Sequence, residues 1–109
     1  MADGLSTREQ YERVVSIVDA NTGGKQRPMA ALSTIRTVAG YAGIGAEDVG
    51  KRLDRAVANG DLVIVEGRVC QAEEEPVRAA IRYEGKREHT RKDRLAKLNQ
   101  ALQGVLDDE

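Results

Sequence analysis

The stretch Thr37–Gly67, TVAGYAGIGAEDVGKRLDRAVANGDLVIVEG, decides how the rest of the chain is read. Leu32, Ile35, Val38, Ala39 and Ala42 recur at helical spacing and form one apolar face. Ala39 is small enough for two helices to cross closely there. Gly43 suits a turn that needs positive φ, and Ile44 can plug the space between the helices. Val49 and Leu53 then face inward one turn apart, Ala56 and Val57 continue that face, and Asn59-Gly60 forms a helix stop. Asp61–Cys70 follows at once as two β-branched runs around Glu66-Gly67, the pattern of a short hairpin. The order is therefore helix, tight turn, helix and two-stranded ribbon.

The run Val38-Ala39-Gly40-Tyr41-Ala42-Gly43-Ile44 resembles the helix-turn-helix of lac-repressor-like and many other bacterial and archaeal regulators. With Val49, Leu53, Ala56 and Gly60-Asp61-Leu62-Val63 added, residues 8–72 look like the winged helix-turn-helix transcription regulators, MarR-like and PadR-like families included. The resemblance implies a mainly α fold with a small β-hairpin. Residues 1–72 would form the winged helix-turn-helix domain and residues 73–109 a C-terminal helical extension. It also implies binding of double-stranded DNA through phosphate contacts, from Lys51 and Arg55 on the recognition helix and Arg68 at the wing tip. Lys25, Arg27 and Arg36 would assist from the connector and the preceding helix. Two features argue against strong base reading by that helix alone. Glu47 and Asp48 at its start suit the helix dipole but repel phosphates, and Gly50 has no side chain where these families present one to DNA.

The chain has 109 residues, enough for one modest core with an appended element. It contains no Phe or Trp and only three tyrosines, so Val, Leu, Ile and Ala must build the core, and stacking on single-stranded bases is not the expected mechanism. Net charge is −1, with a pI near 5.9, which taken alone argues against a nucleic-acid partner. The distribution is uneven: residues 1–24 carry −2, 25–70 carry +2, 71–75 carry −3, 76–98 carry +5 and 99–109 carry −3. Positive charge is thus concentrated in the middle and in one later segment.

Ser6 and Glu9 form a capping box for a first helix ending near Asn21, with Tyr11, Val14, Val15 and Val18 as its apolar stripe. Gly23-Gly24-Lys25 lacks the preceding strand and the following Ser or Thr of a phosphate loop. Pro28 suits the first turn of the next helix. Whether Met29–Ala42 is one helix, or a short turn before a helix from about Thr34, stays open at this level.

In the last third, Pro76 is expected to start a helix that packs Val77, Ala80 and Ile81 on the preceding domain, with a bend or break at Gly85. The segment Lys86–Arg94 holds five of the eight basic residues of 76–98. Leu95, Leu98, Leu102 and Val105 then form a heptad seam, expected to make a homodimer with support from other contacts; folding back on the same chain is the alternative. A dimer would set two recognition helices about 34 Å apart, in successive major grooves.

No catalytic constellation emerges. Cys70 reads as a small buried strand residue, and His89 lacks companions for a metal site, so neither enzyme activity nor a metal nor a cofactor is expected. The absence of an apolar span or a secretion signal points to a cytoplasmic protein without membrane contact. No ligand domain is evident, which suggests no small-molecule sensor. Two other readings compete with DNA binding: a protein-interaction module using the face made acidic by Glu47 and Asp48, and an RNA-binding protein using residues 86–94.

Overall fold

The computed structural model describes residues 5–22, 28–86 and 92–107. They form a mainly helical fold with a small three-stranded antiparallel sheet, in the order α1 (Thr7–Ala20), β1 (Ala30–Ala31), α2 (Leu32–Tyr41), α3 (Ala46–Ala58), β2 (Leu62–Val65), β3 (Arg68–Gln71), α4 (Glu74–Gly85) and α5 (Lys92–Asp107). Helix α1 begins with the expected capping box: Glu9 N–H donates to Ser6 Oγ and Ser6 N–H to Glu9 Oε1, both at 3.1 Å.

The segment left open by the sequence resolves into a two-residue strand followed directly by α2. Pro28 sits at a buried bend ahead of β1 and not in a first helical turn. Pro76 is likewise displaced, being the third residue of α4, a first-turn position where a missing N–H costs no helical bond. The ribbon becomes a sheet of order β1-β3-β2, in which β1 pairs Ala30 with Val69 and Ala31 with Arg68. Two alanines carry no strand signal; their pairing with β3 makes them one.

The helix–turn–helix positions are buried as expected except Val57, which its spacing places on the inward face and which is 42% exposed. Ala39, Ile44, Val49, Leu53 and Ala56 are all buried, together with Ile35 and with Val14, Ile17 and Val18 of α1. Gly43 has φ 87°, and the Ile44 N–H closes the turn on the Ala39 carbonyl at 3.0 Å. Gly60 ends α3 at φ 80°. The hairpin turns at Glu66 (φ 49°) and Gly67 (φ 79°), so both central residues are left-handed, as a type I′ turn requires.

The alternation of the sheet separates two cores. Leu62, Ile64, Val69 and Ala30 face α1–α3, whereas Val63, Val65 and Cys70 face α4 and α5. Against that second face, Leu98 joins Val65 and Ala80 in one cluster, and Leu102 joins Cys70 and Val77 in another. The C-terminal helices therefore complete a three-layer body, helices on sheet on helices. The leucine seam is accordingly corrected: Leu98 (0% exposed) and Leu102 (9%) are turned into the chain's own sheet, with Leu95 and Val105 half-buried beside them. A seam already buried cannot also be an open dimer face. α4 ends at Gly85, where the sequence places a break.

Candidate nucleic-acid interface

Helix α3 is held by its buried stripe of Val49, Leu53 and Ala56, which leaves the opposite side to solvent. A polar lock fixes its far end to α1. Tyr11 Oη donates to the Asp61 carboxylate, and Asn59 Nδ2 donates to Tyr11 Oη at 3.1 Å. Burial, and then the hydrogen bond to Asp61, raises the Tyr11 phenol above its ordinary pKa. Because the lock joins residues some fifty positions apart, it sets the orientation of α3 without contributing to the exposed face.

On that face Lys51 and Arg55 are exposed and one turn apart. Glu47 is one turn before them, and Lys51 Nζ lies 3.5 Å from its carboxylate. Both side chains of that pair are mostly exposed, so the pair itself is weak, but it halves the positive character of the row. Asp54 is also exposed, and Glu47, Lys51, Asp54 and Arg55 together carry no net charge. Among the described residues nothing would meet a Cβ at Gly50 within 4 Å, so their packing does not require the glycine. Arg36 is exposed on α2. Lys25 and Arg27 lie outside the described residues.

Arg68 is where the structure departs furthest from expectation. It is the first residue of β3, not the turn, and it pairs with Val65 and Ala31. Since Val69 points to the α1–α3 core, Arg68 must point to the other face, where it is half-buried on the side of α4 and α5. The turn residue nearest the tip is an acid, Glu66. The predicted wing-tip cation is therefore not presented beside α3.

The basic segment is also altered. Residues 87–91, His89 among them, lie outside the described residues, while Lys86 and Lys92 are exposed. Arg94 is 13% exposed, with Nη1 2.7 Å from Glu84 Oε1 and Nε 3.7 Å from Glu66 Oε2. The short bond to Glu84 is the main cause that raises its pKa and keeps it charged. Arg94 thus ties α5 to the end of α4 and to the hairpin turn, although its Nε makes no hydrogen bond among the described residues.

Two further features were not read from the sequence. Arg52 is half-buried at the border of the α3 stripe, with Nε making no hydrogen bond among the described residues. Tyr41, at the last turn of α2, is 87% exposed. Only its neighbours' small size signalled it. Cys70 is fully buried, and desolvation pushes its thiol up to about 11, which leaves it unreactive near neutral pH. Among the described residues no cluster of His, Cys, Asp or Glu is placed to hold a metal ion, and no helix is long and apolar enough to cross a membrane. No family model, no curated protein and no solved structure matches the chain.

Proposed function

We propose that this chain is a winged helix-turn-helix DNA-binding protein, a transcriptional regulator that engages duplex DNA through α2, α3 and the residues that precede them. The observation that carries the reading is the topology. Two helices meet at a φ-positive glycine, the second is stripped to one buried stripe, and a hairpin follows whose inner strand also pairs with a strand ahead of the first helix. That order supports the reading of a winged helix, in which the second helix enters a groove and phosphate contacts set its register. Arg36, Lys51 and Arg55 are the described cations that would meet phosphates, and Lys25 and Arg27 would add to them.

A near-neutral α3 face sets the expected strength. With about three to five phosphates neutralised, the logarithmic salt slope is about −2.7 to −4.5, so raising salt from about 50 to 200 mM weakens binding roughly 40- to 500-fold. Fluorescence anisotropy on a labelled random duplex measures this directly, and the double substitution Lys51→Glu/Arg55→Glu should abolish binding. Binding that ignores salt, or survives the double substitution, refutes the proposal. The exposed Tyr41 beside the balanced charges of α3 favours a second reading, a protein-binding face. In that case the duplex is not bound at any salt and the double substitution changes only the affinity for a protein.

A further inference from the structure

The sheet borders two concavities. One, of about 380 Å³, is enclosed between β1, Arg68 and the C-terminal helices. The other is an open groove of about 840 Å³ along the free side of β2. Val57 of α3 and Gly60 just after it form one bank, and Lys97, Ala101, Gly104 and Val105 of α5 form the other.

β2 is an edge of the sheet, whose order is β1-β3-β2. Ala72 N–H donates to the Asp61 carbonyl at 3.0 Å, and the two-residue turn pairs Val65 with Arg68, so Asp61, Val63 and Val65 direct their backbone groups to β3. The intervening Leu62 and Ile64 turn their N–H and C=O groups to the groove, where they meet no hydrogen-bond partner among the described residues. Leu62 is buried and Ile64 half-buried, so these groups lie at the groove floor, and buried backbone groups are almost always paired. The strand Leu-Val-Ile-Val has none of the lysines, prolines or bulges that protect an edge from another strand.

The α5 bank has room for side chains. Gly104 lies inside the helix, where glycine is unfavourable, yet among the described residues nothing would meet a Cβ there within 4 Å. Ala101, one turn earlier, keeps the bank shallow. Charge is distributed along the groove. Leu98 packs with Val65 and Leu102 with Cys70, which pairs with Val63, so α5 passes β2 in the opposite direction and Lys97 lies at the Val65 end. Glu73 follows Ala72 at the other end. Both are exposed and form no ion pair among the described residues.

We propose that this groove takes an extended peptide segment of a partner protein as a fourth strand, antiparallel to β2. Leu62 and Ile64 each exchange two backbone hydrogen bonds with it. Side chains directly opposite one another share a face, so the peptide residues opposite Val65, Val63 and Asp61 point to α5. The charges and the open bank there fit an acid beside Lys97, a large apolar side chain over Ala101 and Gly104, and a base beside Glu73. The two residues between them face Val57, which is 42% exposed, and are apolar. Val57 lies across α3 from Arg55, so the groove is separate from the surface proposed for DNA.

The probe is acetyl-Glu-Val-Leu-Val-Lys-amide, titrated into the isotope-labelled full chain without DNA. The expected result is a saturable shift of the backbone amide signals of Leu62, Ile64 and Gly104. Methylating the two valine amides of the peptide keeps every side chain but removes the donors to Leu62 and Ile64, and should weaken binding by roughly tenfold or more. Exchanging its Glu and Lys should also weaken it. Gly104→Leu fills the open bank and should abolish the shifts at Leu62 and Ile64. The inference is overturned if the peptide moves neither signal saturably, if the methylated or charge-exchanged peptide binds as tightly, or if Gly104→Leu binds as before. It is also overturned if the same signals move with protein concentration alone, since a second copy of the chain then fills the groove. The peptide comparisons need no variant, so they decide the matter even if Gly104→Leu fails to fold.

Discussion

Leu98→Ala tests where the C-terminal helix belongs. Leu98 is fully buried against Val65 and Ala80, with Met29, Val63 and Ile81 packed around them. Truncation removes three carbons, a transfer loss of about 2.4 kcal/mol at roughly 0.8 kcal/mol per buried methylene. The site also borders the cavity beside Arg68, so the deletion enlarges an opening that already exists and the added cavity term stays small. A total near 3 kcal/mol is expected, against a whole-domain stability of about 5 to 15 kcal/mol. In urea, with a slope of about 1.5 kcal/mol per molar, the midpoint should fall by about 2 M. The midpoint of both proteins should be independent of protein concentration, because the contact is within one chain. A loss under about 0.5 kcal/mol would refute the packing described. So would an unsubstituted midpoint that rises with concentration and loses that dependence in Leu98→Ala, since Leu98 would then lie between subunits.

Three other outcomes are expected. Cys70 is raised to about 11 in the fold, above its unfolded value, so stability is complete below about pH 9 and is lost as pH rises towards 11, by at most about 3 kcal/mol. Thermal midpoints across that range should fall more steeply for the natural chain than for Cys70→Ala. Arg94→Met, which removes the guanidinium 2.7 Å from the buried Glu84, should cost about 2 to 3 kcal/mol in urea unfolding, whereas Arg78→Met at the exposed pair with Glu74 should cost less than about 1 kcal/mol. Gly43→Ala, at φ 87°, should lose about 1 to 2 kcal/mol, while Gly50→Ala, with open space around its Cβ, should gain up to about 1 kcal/mol in the same assay.

Short-range chemistry made much of the first two-thirds legible. Ser6 and Glu9 cap a helix through bonds three residues apart, Gly43 takes a φ that only its own backbone decides, and Glu66-Gly67 turns a hairpin between adjacent runs. For the same reason the burial of Ala39, Ile44, Val49 and Leu53 followed from spacing. Exposed candidates were less legible, because exposure depends on what else covers a surface. Arg36, Lys51 and Arg55 are open, but Arg68 and Arg94 are enclosed by elements far away in the chain.

By itself, then, the sequence determined the helices, the tight turn and the hairpin, since each rests on propensity and contacts within a few residues. Tertiary structure alone decided the rest. It made a strand of Ala30–Ala31 by giving it β3 to pair with, and it laid α4 and α5 on the second face of the sheet. A period of two assigns side chains to opposite faces but cannot say which face is covered. That single fact turned a seam expected between subunits into a core. It also turned a cation expected at a wing tip into the wall of a cavity.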